Sequence, residues 1–133
     1  MGLVQAGVLV LDCAEPEELA EFYRTLLDGE ISSSPGSNRI DVIGGQGTRM
    51  AFRRDLNAAP ASWPRPDDSQ QAHLDFLVAR DDMDEVERQV IGLGARPLET
   101  RGARGPNETR LYADPAGHPF AVHCAKQPAP KTN

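Results

Sequence analysis

Apolar residues recur along this chain in two rhythms. Short runs alternate or cluster over four to six positions, and two longer stretches space them by three and four. Val8-Leu9-Val10-Leu11 predicts a buried strand. Asp12-Cys13-Ala14-Glu15-Pro16-Glu17-Glu18 then marks a helix entrance, with Pro16 at the first helical position. Glu17 and Glu18 suit the positive end of the helix dipole. Leu19, Phe22, Tyr23, Leu26 and Leu27 follow at helical spacing, and Gly29 is the expected stop. Residues 31–34, 39–43 and 49–53 read as three short strands. Pro35-Gly36-Ser37-Asn38 and Gly44-Gly45-Gln46-Gly47 carry turn chemistry between them. No Gly-Lys-Ser/Thr follows the glycines, so a hairpin turn accounts for them better than a phosphate loop.

The second half repeats the first. Residues 72–78 form a strand with His73, Asp75 and Leu77 on one face and Leu74, Phe76 and Val78 on the other. The second face is wholly apolar and should meet a helix. Asp81 and Asp84 mark that helix's entrance, Met83, Val86, Val90 and Ile91 its stripe, and Gly94 its stop. Residues 96–100, 109–113 and 119–124 are the remaining strands, with a turn or loop over 101–107. The order is β-α-β-β-β twice. Val8 falls on His73, Val10 on Asp75 and Cys13 on Val78; Gly47 falls on Gly117, Ala51 on Ala121 and Arg53 on His123. An internal repeat constrains architecture more than propensity does. The expected fold is α+β: two tandem βαβββ modules forming a cup-shaped mixed sheet, with the helices on its outer face and the inner faces lining a groove. One domain spans 1–126, as module one 4–54, a linker 55–70 and module two 71–125, with a frayed tail at 127–133. The linker holds Pro60, Pro64, Pro66 and the only tryptophan, Trp63.

Composition narrows the function. The 133 residues, 39% hydrophobic and 26% charged, suit one globular domain. No apolar run approaches the roughly 20 residues of a membrane span. Met1-Gly2-Leu3-Val4-Gln5 shows no signal-peptide pattern, so a cytoplasmic protein is expected. The net charge of -6 disfavours nucleic acid as a partner and is compatible with a cationic ligand. Cys13 and Cys124 end apolar strands on the core-facing parity and read as buried small hydrophobes. No Cys-x-x-Cys or His-x-x-x-His spacing offers a local zinc motif.

Three stretches carry a resemblance: the doubled β-α-β-β-β order, the helix Pro16-Glu-Glu-Leu-Ala-Glu-Phe-Tyr23, and Asp114-Pro-Ala-Gly-His-Pro-Phe120. Together they resemble the vicinal oxygen chelate superfamily of glyoxalase I, extradiol dioxygenases, fosfomycin-resistance enzymes and bleomycin-resistance proteins. Trp63-Pro64 ahead of Gln71-Ala-His-Leu-Asp75 is similar to the glyoxalase-like domains of unassigned function. The resemblance implies a divalent metal such as Zn, Ni, Fe or Mn for the enzymes, held by side chains from four strands. Those positions map to Val8, Ala51, His73 and Ala121, and only His73 carries a donor. The resemblance also implies a homodimer, as binding-type members form. Asp114-Pro115-Ala116-Gly117-His118 is a hairpin former in its own right, so His118 is expected to serve the turn.

Two functions remain open. The first is a metal-independent protein that binds a small organic molecule, with no cofactor. The second is an enzyme of the superfamily, either a metal-free acid–base catalyst using His73 and Asp75 or a lyase with rearranged metal ligands. The candidate ligand-binding residues are Val8, Asp12, Arg53, Trp63, His73, Asp75, Tyr112 and His123, with Arg110 sharing the parity of Tyr112. Arg53 is expected to pair with Asp12 or Asp75. No nucleic-acid or membrane partner is expected.

Overall fold

The computed structural model describes residues 3, 7–33, 37–58, 72–100 and 108–124. The chain divides into two compact units, Met1–Ala59 and Pro60–Asn133. The first contains strand β1 (Leu9–Cys13), helix α1 (Pro16–Leu26), β2 (Glu30–Ser32), β3 (Arg39–Ile43) and β4 (Arg49–Arg54). The second contains β5 (Leu74–Val78), a 3-10 turn (Arg80–Asp82), α2 (Met83–Gly92), β6 (Arg96–Glu99), β7 (Thr109–Ala113) and β8 (Pro119–Cys124). These are the two βαβββ modules read from the sequence, and the class is α+β. Linker residues 59–70 with Trp63, the turn residues Pro35 and Gly36, the 101–107 stretch and the 127–133 tail lie outside the described residues.

In the first unit the strands run β1-β4-β3-β2. β1 is parallel to β4, with Val10 opposite Ala51 and Asp12 opposite Arg53. β2, β3 and β4 are antiparallel to their neighbours. Helix α1 covers one face, burying Leu19, Ala20, Phe22 and Tyr23, and that face's core includes Ile40, Val42, Met50 and Phe52. Tyr23 stacks on Phe52 at 5.4 Å between ring centroids. Each such large side chain contributes about 1.5–3 kcal/mol by leaving water. Pro16 opens the helix and Glu17 and Glu18 occupy its first turn. The helix ends in a Schellman arrangement: Gly29 N–H donates to the Arg24 carbonyl and Asp28 N–H to that of Thr25. The left-handed residue there is Asp28 at φ 50, not the expected Gly29. Gly29 is required for a different reason, since a Cβ on it would lie 2.5 Å from the Ile43 carbonyl oxygen.

The second unit repeats the plan, with order β5-β8-β7-β6. β5 is parallel to β8, with Asp75 opposite Ala121 and Leu77 opposite His123. The register therefore reproduces the sequence repeat, Val10–Ala51 becoming Asp75–Ala121. The turns match as well. Gly44 N–H bonds the Thr48 carbonyl and Asp114 N–H that of His118, while Gly47 and Gly117 have φ of 91 and 92. Phe76, Phe120 and Tyr112 form an aromatic row at 5.8 and 5.5 Å. Gly94, at φ 112, closes α2, with Ala95 N–H on the Val90 carbonyl.

Two expectations of burial are corrected. Leu9 and Val10 are 40% and 39% exposed, so the first strand is not buried. Among the described residues β1 is the edge strand of its sheet and pairs with β4 alone. Ile91, read as part of the α2 stripe, is 44% exposed, whereas Met83 and Val90 are buried. Cys13 and Cys124 are buried, as their parity implied. Among the described residues no helix is long and apolar enough to cross a membrane.

Candidate functional site

Each sheet has one face under its helix and one facing away from it. The candidate residues divide between these faces by strand alternation. In β4, Arg54 turns to the helix side, where it bonds Glu17 and donates to the Ala14 carbonyl at 3.1 Å. Its neighbour Arg53 turns to the open face. There it grips Asp12 through two parallel bonds, Nε to Oδ1 and Nη2 to Oδ2, each 2.8 Å. The bond to Asp12, and then its charge, raise the pKa of the guanidinium. The expected Arg53–Asp12 pair is therefore present. Arg39, opposite Arg53 on β3, is itself bonded to Asp41 at 2.9 Å. Two arginines that would repel across the ladder are each neutralised by their own carboxylate. Val8 is partly buried, Val10 is exposed and Ala51 is buried.

On the open face of the second unit, Asp75 and Leu77 are exposed, and His73 lies exposed just ahead of β5. His73 and Asp75 are neighbours on the same edge of the sheet, as alternation required. Ala121 is buried beside Asp75. His123 is half-buried and faces Thr109 across the β7–β8 ladder. The Thr109 hydroxyl lies 2.6 Å from His123 Nδ1. Thr109 was not among the residues singled out from sequence.

Tyr112 and Arg110 are corrections. Both sit on the helix face, not the open one. Tyr112 is fully buried, lies opposite Phe120 and donates its hydroxyl to Glu87 of α2 at 2.7 Å. Arg110 is 4% exposed and bonds Glu108 at 2.6 Å and Asp84 at 2.9 Å. Neither can meet a ligand on the open face. Arg110 ties α2 to β7 instead. Burial opposes the Arg110 charge, but the carboxylates of Asp84, Glu108 and Glu87 outweigh it and raise its pKa. His118 serves the turn as expected. Its backbone N–H, with that of Ala116, donates to Asp114 Oδ1 at 2.9 Å.

The residues at the four metal positions implied by resemblance do not fit a divalent ion. Val8, Ala51 and Ala121 have no donor atom, which leaves His73. Among the described residues no three His, Cys, Asp or Glu side chains stand close enough together to hold a metal ion.

Comparison with known proteins agrees with the architecture. FosX, a fosfomycin resistance protein from Listeria monocytogenes, superimposes with a TM-score of 0.73 at 14% identity, covering 95% of this chain and 97% of that one. A hypothetical protein from S. aureus gives 0.69 at 16% identity, covering 93% and 100%. A glyoxalase/bleomycin resistance protein/dioxygenase family enzyme from Burkholderia phytofirmans PsJN gives 0.68 at 13% identity, covering 89% and 96%. At these identities the likeness is one of fold. No curated protein matches the sequence. Residues 8–123 match the family model of the glyoxalase-like domain. With most of its length inside that match and both βαβββ modules in place, the chain belongs to the glyoxalase-like domain family, within the vicinal oxygen chelate superfamily.

Proposed function

We propose that this chain is a metal-independent binding protein of the glyoxalase and bleomycin-resistance type, and that it holds a small organic molecule on the open faces of its sheets. The observation that carries this reading is the chemistry at the four superfamily metal positions. Valine and two alanines stand where donors are needed, and a single imidazole gives only weak, unspecific coordination. What remains on those faces suits recognition. Val8, Val10 and Leu77 provide apolar surface, while Asp12–Arg53, His73, Asp75 and His123 provide a few polar groups. Trp63, from the linker, is proposed to stack on a planar part of the ligand. The acidic net charge of -6 favours a cationic or neutral molecule at long range. We place the protein in the cytoplasm as a homodimer, which light scattering tests.

The experiment is a thermal-shift screen of the purified protein, in chelator, against small aromatics and antibiotics. A ligand that binds the folded chain raises the midpoint by mass action. A stabilising compound recovered chemically unchanged after incubation supports the reading. Conversion of that compound, lost in His73→Ala and Asp75→Asn, would contradict it and favour acid–base catalysis by that pair. Stabilisation that appears only with added metal would contradict it as well.

A further inference from the structure

The chain has three histidines, and the fold gives them different surroundings. His118 lies in the β7–β8 turn, its backbone held by Asp114. His73 lies exposed ahead of β5. His123 sits inside a strand on the open face of the second sheet, half-buried and directly opposite Thr109. Thr109 Oγ1 and His123 Nδ1 lie 2.6 Å apart, in a hydrogen bond whose donor is set by the tautomer of the ring. With the threonine hydroxyl donating, Nδ1 accepts and the neutral ring carries its proton on Nε2. Among the described residues Nε2 has no hydrogen-bond partner. Opposite His123 on β5 stands Leu77, 70% exposed.

The repeat sharpens the point. His123 falls on Arg53 and Leu77 falls on Asp12. In the first unit the residue from β1 neutralises the one from β4. In the second, leucine at the equivalent place offers the histidine nothing, and the ring is held from the other side by Thr109. The second module thus presents an imidazole held by Thr109 beside the exposed Leu77, where the first presents a closed ion pair.

We propose that His123 is the hydrogen-bond donor by which this module recognises an acceptor oxygen, a carbonyl or carboxylate, of a small molecule whose apolar part rests on Leu77. Thr109 is its positioning residue: it selects the nitrogen that carries the proton. The recognition step rests on the binding function proposed above, whereas the tautomer does not. Long-range 1H–15N NMR of the full chain, at about pH 8.5 where imidazole is neutral, reads the tautomer directly. Wild type and Thr109→Ser are expected to show a single Nε2–H form, and Thr109→Val a mixture. The same mixture in wild type would overturn the proposal whether or not any ligand binds, so that failure is distinct from a failed ligand screen. Benzoate and benzamide then probe recognition as carboxylate and carbonyl. Shifts at the His123 ring and the Leu77 methyls, weakened in Thr109→Val and restored in Thr109→Ser, support it. Shifts confined to Val10 and Arg53 would overturn the role of His123 while leaving the binding function standing. No shift with either probe would overturn recognition of an acceptor oxygen.

Discussion

Arg110 shows how much one side chain can hold. It is buried, and it joins Glu108 on its own strand to Asp84 and the Met83 carbonyl at the start of α2. Arg110→Met would leave the Glu108 carboxylate, itself 8% exposed, without its cation. Breaking such a buried pair from one side costs about 3–5 kcal/mol, which urea unfolding will measure. Replacing Glu108 by Gln in the same variant is expected to recover part of that loss, because the stranded charge is gone. Tyr112 makes a pH-dependent contribution. Burial first, then its bond to Glu87, pushes its hydroxyl far above the ordinary value of 10.0. The unfolded chain ionises this tyrosine near 10 and the folded chain does not, so folding stability is intact below that pH and falls as pH rises above it. Thermal midpoints measured from neutral to alkaline pH should show the decline, and Tyr112→Phe should flatten it. Asp12→Ala, by contrast, removes an exposed pair and is expected to leave the midpoint nearly unchanged.

Among the elements, the two β-hairpin turns act as matched parts. Gly47 and Gly117 share the same left-handed backbone, so alanine at either is expected to cost about 1–2 kcal/mol, read by the same unfolding curves. Gly29→Ala should cost more than Gly47→Ala, because its Cβ meets the Ile43 carbonyl while nothing lies within 4 Å of Gly47. These elements were legible in the sequence because local chemistry marks them: Pro16 at a helix start, glycines at turns, apolar spacing in α1. The strands 39–43, 109–113 and 119–124 fall where alternation put them. What alternation alone cannot supply is which face of a mixed strand meets the helix. In Thr109, Arg110, Leu111 and Tyr112 each face carries one polar residue and one that is partly or wholly apolar, so alternation does not tell which face Arg110 and Tyr112 take. The signal that does so lies in the repeat: Ile40 and Val42, core residues of the first unit, fall on Arg110 and Tyr112. The same alignment would have placed Thr109 on the face of His123. The exposure of Leu9 and Val10 was hidden for another reason. Edge position depends on strand order, which hydrophobicity along one segment does not encode.

At the scale of the whole molecule, the doubled module explains both the family membership and the proposed departure from its metal chemistry. A repeat keeps its fold as long as its helix faces stay filled and its turns keep their glycines, and both conditions hold here, the buried Arg110 being matched by carboxylates. The open faces are under no such constraint, and there aliphatic residues stand at three of the four superfamily metal positions. The measurement that bears most directly on metal independence is elemental analysis of the purified protein after incubation with Zn, Ni, Fe and Mn and removal of free ion. The expected result is no stoichiometric metal, and the same trace content in wild type and His73→Ala. One equivalent of any of these metals retained by wild type and lost in His73→Ala would contradict it.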